Sequence, residues 1–279
     1  MKVLVVGGGI GGFATALSLH AVAIECEVFE QSRGIRELGV GMNMLPHAIK
    51  ELAELGLLDA LDCVAIRTYE LIYTNRFGQD LWRELRGRDA GYDYPQLSIH
   101  RGKLQGLLYE AAQARLGEEH IHTAHRLREI AQDRHGVTAT FLRRDGSGDS
   151  VTARGDVLIA ADGIHSTVRR TFYPHEAAPT WNGTMMWRGA VEYPPFLTGR
   201  SMVIAGAGAV HAMKATRLVL YPISNQTSAP GTNLLNWLMT AKLSDGSEPP
   251  PRREDWSRLG QFDELCPMLR GSTISPLSI

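Results

Sequence analysis

Three glycines near the amino terminus have the type and spacing that a phosphate-binding turn requires. Gly7, Gly9 and Gly12 match G-x-G-x-x-G and follow the aliphatic run at residues 2–6. In this pattern the first glycine permits a tight turn, the second lets the backbone approach a pyrophosphate, and the third lets a helix pack closely on a strand. The start of that helix adds unpaired N–H groups and the positive end of a dipole. The glycines therefore predict a dinucleotide site.

A carboxylate follows at the distance at which dinucleotide-binding folds hold a ribose. Glu30 lies eighteen residues after Gly12 and closes a second apolar run at residues 26–29. A carboxylate in this position accepts hydrogen bonds from the hydroxyls of an adenosine ribose. The alternative is a glycine-rich turn with an unrelated surface glutamate, and the flanking strand and helix patterns argue against it.

A second acidic residue closes another apolar run. Residues 156–160 are almost continuously apolar, which is typical of a strand buried on both faces, and Asp162-Gly163 follows them. An acidic residue at the carboxyl end of this strand would meet a second part of an extended dinucleotide. Ser166 is placed to cap the next helix. A simple Asp-Gly turn is the alternative.

The elements that must position these residues form an α/β pattern. A strand at 2–6, a helix at 13–19 and a strand at 26–29 are the beginning of a parallel sheet. Residues 101–116 repeat leucine and alanine at helical spacing, and the runs 137–142 and 151–153 flank a turn, which predicts a hairpin.

The pattern changes after Pro174, where no long helix separates the strand-like runs. These runs are residues 185–193, 202–205, 218–223 and 234–242, with a loop at 224–233 and a short helical pattern around 256–259. They predict a mostly antiparallel sheet. We expect a first domain over 1–175, with a strand insertion around 66–98, and a second domain over 176–279.

Composition limits the classes of partner. The net charge is -1, which gives no electrostatic reason to expect nucleic acid or an anionic membrane as partner. The three cysteines form neither a disulfide framework nor a metal-ligand spacing. No apolar stretch predicts a membrane span or a signal peptide, so we expect a cytoplasmic protein. The oligomeric state is left open.

Several stretches resemble the flavoprotein aromatic-ring hydroxylases related to p-hydroxybenzoate and salicylate hydroxylases, and most closely those that modify phenazines. The matching stretches are 7–12, 36–43, 52–57, 94–105, 162–169, 186–189 and 221–224. The likeness extends to about residue 265. The Asp-Gly segment at 162–169 is diagnostic of this flavin family, whereas the run 186–189 is narrower.

The resemblance implies a Rossmann-like FAD-binding domain with a parallel sheet, followed by an incomplete, mostly antiparallel substrate domain. It also implies FAD as the cofactor, NADH or NADPH as the electron donor, and oxygen transfer to an aromatic or phenazine-like molecule through a flavin hydroperoxide. Because the cofactor carries most of this chemistry, no side chain is assigned a catalytic role and no metal is expected.

The resemblance assigns twelve residues to FAD. They are Gly7, Gly9, Ile10, Gly11, Gly12, Glu30, Val40, Gly41, Arg101, Leu127, Asp162 and Gly163. Arg101 is expected at the pyrophosphate or ribitol, with a surface salt bridge as the alternative. The backbone at Leu127 is expected against the adenine, Asp162 near the phosphates, and residues 39–41 beside the isoalloxazine.

Substrate contacts are expected from the second sheet, namely Met186, Trp187, Arg188 and Tyr221, with Arg188 available to a carboxylate. The alternative is that these residues are core residues of the strands. The sequence Gly206-Ala-Gly208 looks like a second dinucleotide motif, but His211 occupies the third glycine position. We interpret it as a loop, so NAD(P)H would dock transiently and not in a domain of its own.

The chain departs from the family pattern at its carboxyl end. Family members carry a Gly-Asp-Ala-Ala-His-type segment that holds part of the flavin, and residues 268–279 do not resemble the family. We expect a truncated, frameshifted or fragmentary chain with poor activity by itself. Two alternatives to an active monooxygenase are therefore a catalytically impaired flavin-binding fragment and an NAD(P)-dependent dehydrogenase without flavin.

Overall fold

The computed structural model describes residues 1–34, 40–207, 215–250, 259–261 and 263–264. The chain forms two compact units that alternate along the sequence. The first comprises Met1–Leu38, Leu52–Leu57 and Arg101–Pro179, and the second comprises Gly39–Glu51, Leu58–His100 and Thr180–Ile279. The strands of the insertion at 66–98 belong to the second unit, and the domain boundary near 175 stays a prediction.

Sixteen strands and five α-helices are described, together with 3-10 turns at Gly87–Ala90 and Glu118–His120. The strands are β1 Lys2–Val6, β2 Glu25–Phe29, β3 Gly41–Met44, β4 Ile66–Arg67, β5 Glu70–Asn75, β6 Asp80–Leu85, β7 Leu97–His100, β8 Ile121–His122, β9 His125–Asp133, β10 Gly136–Arg143, β11 Ser150–Gly155, β12 Val157–Ala160, β13 Thr184–Tyr193, β14 Ser201–Ala207, β15 Thr216–Ser224 and β16 Asn233–Lys242. The helices are α1 Ile10–Ala21, α2 Pro46–Glu54, α3 Leu58–Val64, α4 Arg101–Leu116 and α5 Thr167–Phe172.

The first unit contains a parallel sheet in the order β12-β1-β2-β8. The aliphatic side chains of β1 are buried between its neighbours, with Val3 paired to Val157 on one side and to Cys26 on the other. Helix α1 joins β1 to β2, so the predicted strand–turn–helix–strand unit is confirmed. The predicted helix at 101–116 is confirmed as α4.

A second, antiparallel sheet of the first unit has the order β11-β10-β9 and includes the predicted hairpin. Its inward side chains join those of the parallel sheet in one core cluster. Phe29 and Phe141 stack there with their ring centroids 4.1 Å apart. This core fixes the carboxyl ends of β1 and β2.

The expectation that residues 156–160 are buried on both faces is wrong. Within the described residues β12 is an end strand of its sheet and pairs with β1 alone. Val157 keeps 43% of its surface exposed, and Ala160 is also exposed. An end strand lacks a neighbour on one side, so an apolar composition alone does not bury it.

The second unit is built on a six-stranded sheet in the order β13-β16-β15-β14-β5-β6. Its neighbours are antiparallel except for β14 and β5, which are parallel, so the predicted mostly antiparallel sheet is confirmed. One face carries the cluster with Ile72, Val203 and Leu220, and the other carries the cluster with Val219, Tyr221 and Ile223.

A small sheet in the order β3-β7-β4 also belongs to the second unit, and its strands pack on β15. In the part of the chain that the structure describes, no helix is long and apolar enough to cross a membrane. The expected features at Gly39, at 206–208 with His211, around 256–259 and at 268–279 lie wholly or partly outside the described residues.

Candidate functional site

The glycine turn after β1 has no room for side chains at two positions. Gly7 has φ +111°, and a Cβ added to it would lie 2.3 Å from the carbonyl oxygen of Ala161. A Cβ at Gly12 would lie 1.8 Å from the carbonyl oxygen of Gly7. The first glycine therefore permits the turn and the third permits helix α1 to lie against it, which is the geometry the motif predicts.

The amino terminus of α1 is open. Gly9 is the N-cap residue and offers no side-chain cap, and the first turn has no acidic residue. A Cβ at Gly9 or Gly11 would meet nothing within 4 Å. Because the first N–H groups of a helix have no partner within it, this end favours an anion.

Glu30 lies at the end of β2 and faces the same turn. Its carboxylate accepts the N–H of Gly8 at 2.6 Å and the N–H of Ser32 at 2.7 Å. An ionised carboxylate has about four lone-pair positions, so roughly two stay available for further donors. The sequence interpretation missed Gly8 and Ser32, although Gly8 stands within the glycine run.

Helix α4 is tied to the turn by a residue that the sequence interpretation also missed. Gln105 donates from Nε2 to the carbonyl oxygen of Gly8 at 2.9 Å. Exposed Arg101 begins the same helix one turn earlier, on the same face as Gln105. The rings of Phe13 and Tyr109 pack α1 against α4 with centroids 5.4 Å apart. Arg101 is thus held on the helix face that reaches the turn.

Asp162 and Ser166 cap the short helix α5. The carboxylate of Asp162 accepts the Ser166 hydroxyl at 2.6 Å and the N–H groups of Thr167 and Val168 at 2.7 and 3.2 Å. Ser166 Oγ in turn accepts the N–H of Arg169 at 2.9 Å, which confirms the predicted cap. Gly163 is exposed with φ +77°. The Asp162 side chain is therefore occupied by α5.

Leu127 lies on β9 with its side chain 6% exposed in the core cluster. Its side chain is thus committed to packing beside Phe141, its partner across the strands. The expectation for Leu127 concerned its backbone and stays a prediction.

In the second unit, Gly41 begins β3 against the six-stranded sheet, next to half-buried Val40. Its N–H donates to Oδ1 of Asn236 at 2.7 Å. A Cβ at Gly41 would lie 2.7 Å from side-chain atoms of both Tyr221 and Ile223. The missing side chain lets β3 approach β15 and β16 closely.

The sheet register divides the four predicted substrate residues between two faces. Arg188 pairs with Leu238, and Leu238 pairs with Val219, two residues before Tyr221. Because paired residues share a face and strand residues alternate, Arg188, Met186 and Tyr221 lie on one face.

Trp187 lies on the opposite face of the sheet. Its indole N–H donates there to Glu264 at 3.3 Å. The structure brings together three of the four residues and separates Trp187 from them.

A polar network surrounds Tyr221, which is 4% exposed. Burial raises the pKa of Tyr221 to about 12, against the opposite effects of Arg188 and of a hydrogen bond with Asn43. The Asn43 side-chain oxygen accepts the hydroxyl of Ser98 at 2.7 Å and the amide of Gln96 at 3.3 Å. Tyr221 is therefore a neutral phenol at ordinary pH.

A cavity of about 570 Å³ in the second unit contains none of the predicted substrate residues. Its lining includes Arg67, Arg88 and Arg200. Arg67 Nε donates to Asp62 at 2.9 Å, and Arg200 contacts Asp89 at 3.0 Å. Since two of these three cations already face carboxylates, we assign no ligand to this cavity.

A family model described as "FAD binding domain" matches residues 1–188, more than half of the chain. The chain belongs to this FAD-binding family. It is 38% identical over 266 residues to a phenazine 1,6-dicarboxylic acid hydroxylase, PhzS, of Lysobacter antibioticus. The matched region covers 95% of this chain and 64% of that protein. It is 29% identical over 197 residues to a FAD-dependent urate hydroxylase of Klebsiella pneumoniae, covering 69% of this chain and 48% of that protein.

Among solved structures, the chain is similar to Klebsiella pneumoniae HpxO complexed with FAD and uric acid. The TM-score is 0.68 at 25% identity, and the match covers 89% of this chain and 58% of that one. The chain thus spans less than two thirds of the length of these relatives.

The first unit fits the cofactor of this FAD-binding family. The open amino terminus of α1 suits the pyrophosphate. Gly7 and Gly12, where a Cβ would clash, form the turn that exposes this helix terminus. Glu30 beside the turn suits a ribose. The fit rests mainly on backbone groups, with Glu30 as the side chain that adds a direct acceptor.

Proposed function

We propose that this protein is an FAD-dependent monooxygenase that hydroxylates an aromatic, phenazine-like small molecule and consumes oxygen and NADH or NADPH. The observation that carries the proposal is the uncapped amino terminus of α1 behind the Gly7–Gly12 turn, with Glu30 beside it, in a chain of the FAD-binding family. The hydroxylase names of the relatives support the type of reaction.

In this proposal the N–H groups of Ile10, Gly11 and Gly12 donate to the FAD pyrophosphate, and Gly9 leaves the approach open. Glu30 accepts the ribose hydroxyls with the lone pairs that Gly8 and Ser32 do not use. These groups are fixed before the cofactor arrives, which lowers the entropic cost of binding.

The remaining FAD contacts are assigned to residues around this turn and to β3. Arg101 approaches phosphate oxygens from the start of α4, where its planar guanidinium can donate two parallel hydrogen bonds. Asp162 acts through the α5 terminus that it caps, and Gly163 offers backbone without a side chain. The backbone of Leu127 is assigned to the adenine. The backbones of Val40 and Gly41 are assigned to the isoalloxazine.

FAD, when bound, supplies the redox chemistry that activates oxygen, so the protein must chiefly bind and orient the substrate. We assign this task to the face of the second sheet that carries Met186, Arg188 and Tyr221. The Arg188 guanidinium suits a carboxylate on the ring. The phenazine relative is named for a substrate that carries two carboxylates. A phenazine carboxylate is therefore the first candidate substrate. Within this class we propose 5-methylphenazine-1-carboxylate as the more specific candidate. Trp187, on the other face of the sheet, is a weaker candidate for a substrate contact.

The test is to express residues 1–279 with FAD and to record the absorbance spectrum of the purified protein. Oxidation of NADH and NADPH is then measured with and without phenazine-1-carboxylate, salicylate and urate, and products are analysed after reaction under isotopically labelled oxygen. A flavin spectrum, ligand-stimulated oxidation and a labelled hydroxylated product are expected. A colourless protein that oxidises or reduces nicotinamide without added FAD would contradict the proposal in favour of a dehydrogenase.

A further inference from the structure

Asn236 has a buried amide whose orientation is fixed by a backbone group. The residue lies on β16 with 1% of its surface exposed, and its Oδ1 accepts the N–H of Gly41 at 2.7 Å. A backbone N–H can only donate, so the atom that faces it must be the amide oxygen. The two amide hydrogens of Asn236 therefore point away from Gly41.

Those hydrogens have no acceptor within the described part of the chain, where Nδ2 of Asn236 is a buried atom without a hydrogen-bond partner. Most buried polar side-chain atoms in folded proteins are paired, and an unpaired one needs a physical explanation. Replacing Asn236 by an apolar residue would strand the Gly41 N–H, so the oxygen explains why a polar residue stands here. It does not explain the unused donor.

The unused donor lies on the proposed substrate face. Asn236 pairs with Tyr221 on one side and with Ala190 on the other, so all three share a face. Along β13 this face is open, because Ala190 and Arg188 are exposed and Met186 keeps 52% of its surface exposed. Asn236 stands where the covered part of the sheet meets this open part.

The hydroxyl of Tyr221, the neighbour of Asn236, is a second hydrogen-bond donor on this face. The oxygen of Asn43 accepts from Ser98 and Gln96, which leaves the amide N–H of Asn43 to face Tyr221. The phenolic oxygen of Tyr221 is then an acceptor in that contact, so its own hydrogen does not point at Asn43. Its raised pKa keeps this hydrogen in place at ordinary pH.

We propose that Asn236 is a substrate-binding residue whose amide N–H donates to an acceptor atom of the aromatic ligand, and that Asn236, Tyr221 and Arg188 together form a donor face. A face that offers donors selects ligands with acceptor atoms on one edge, such as a ring carboxylate or carbonyl, and rejects ligands that carry donors there. This inference rests on the proposed function, because it assumes that the aromatic substrate binds on this face.

The matched pair of variants is Asn236→Asp and Asn233→Asp in the full chain loaded with FAD. Aspartate at 236 keeps an oxygen for Gly41 but replaces the donor by an acceptor. Asn233 lies on the same strand and donates to the carbonyl oxygen of Gly199 at 3.3 Å, so its variant controls for an added negative charge. Dissociation constants for phenazine-1-carboxylate are measured by calorimetry, and folding is monitored by circular dichroism.

We expect Asn236→Asp to bind phenazine-1-carboxylate about tenfold or more weakly than the unchanged protein, which is the size of one lost hydrogen bond to a charged acceptor. Asn233→Asp is expected to stay within about twofold. Equal affinity of Asn236→Asp and the unchanged protein would overturn the inference.

A second measurement uses the unchanged protein and does not depend on the folding of a variant. Benzoate is expected to bind at least about tenfold more tightly than benzylamine, which has the same ring with a donor in place of the carboxylate. Equal binding of the two would also overturn the inference. If the unchanged protein takes up neither FAD nor any aromatic carboxylate, the proposed function itself fails, and the two failures are thereby distinguished.

Discussion

The glycine turn of the first unit and the donor face of the second are built in different ways. The turn is made of backbone groups from one short stretch, with Gly7 and Gly12 kept bare because a Cβ would strike a carbonyl oxygen. The donor face is made of side chains from strands far apart in sequence, since Tyr221, Asn236 and Arg188 stand on β15, β16 and β13. A backbone site depends on conformation, whereas a side-chain site depends on which strands are neighbours.

The largest effect is expected where a side chain is forced into the backbone site. Gly12→Val places atoms within 1.8 Å of the Gly7 carbonyl oxygen, and a backbone atom in a buried turn cannot move aside. We expect a loss of about 3 kcal/mol or more in the free energy of unfolding, at or above the upper end of ordinary overpacking. Urea denaturation measures it, and FAD affinity is expected to fall with it.

Gly11→Ala is the matched control for Gly12→Val, because a Cβ at Gly11 meets nothing within 4 Å. Its stability should be unchanged or slightly higher, as alanine is a better helix former than glycine. Equal destabilisation by the two variants would show that the turn does not depend on the bare position at Gly12.

Glu30 is the side chain on which the backbone site depends most. Glu30→Ala removes the proposed ribose acceptor and also the partner of the Gly8 and Ser32 N–H groups. We expect FAD affinity to fall about ten- to a hundredfold, which corresponds to roughly 1.5–3 kcal/mol for hydrogen bonds to a charged group. Fluorescence titration with FAD checks this, with exposed Glu25 on the same strand changed to alanine as control. Unchanged affinity in Glu30→Ala would remove the ribose assignment.

The burial of Tyr221 on the donor face should make the free energy of unfolding depend on pH in the alkaline range. Burial raises the Tyr221 pKa from 10.0 to about 12, so the unfolded chain loses this proton first as the pH rises. The contribution of Tyr221 to the free energy of unfolding is fully present below the pKa that Tyr221 has in the unfolded chain. As the pH rises from about 10 to about 12, the free energy of unfolding falls by roughly 1–3 kcal/mol.

Tyr221→Phe is expected to lose less stability than the unchanged protein over this range. Urea denaturation at about pH 9 and about pH 12 measures the difference. Tyr92→Phe is the control, because Tyr92 is 62% exposed. Identical pH profiles for Tyr221→Phe and the unchanged protein would contradict a buried phenol.

The smallest effect is expected at the α5 cap, where a side chain serves backbone groups. Ser166→Ala removes the acceptor of the Arg169 N–H and the donor to Asp162. N-cap losses typically cost about 1 kcal/mol, and FAD affinity should fall slightly if Asp162 acts through this helix. Thr171→Ala on the same helix is expected to change stability by less than about 0.5 kcal/mol. If Ser166→Ala reduced FAD affinity more than Glu30→Ala does, Asp162 and its cap would contribute more to FAD binding than the ribose acceptor.

The features that sequence reasoning predicted correctly depend on neighbours along the chain. Strands β1 and β2, helix α4, the β10–β11 hairpin and the Ser166 cap each follow from apolar periodicity, turn residues or capping residues within a few positions. The same reasoning was wrong about burial at β12, where the apolar run forms an end strand and Val157 is exposed. Composition states which residues tolerate burial, and the sheet order decides which are buried.

The contacts of the second unit depended on pairings that no local pattern carries. β5 pairs with β14 across about 130 residues of sequence, for instance Leu71 with Met202, and brings the insertion at 66–98 into the six-stranded sheet. The alternation of β13 alone places Trp187 opposite Arg188, but only the pairing with β16 shows which face Tyr221 shares. Gly41 appeared in the sequence as a glycine beside a cofactor, and its close contact with Tyr221 and Asn236 came from the fold.

The sequence by itself determined the FAD-binding turn, because the glycine spacing and Glu30 encode a backbone conformation whose parts are close along the chain. Only the tertiary structure decided the donor face, including the unused amide of Asn236, because a hydrogen bond between Gly41 and a residue 195 positions away exists only once β3 lies against β16. Local conformational preference is a property of short segments, whereas the pairing of distant strands is chosen by the burial of the whole unit.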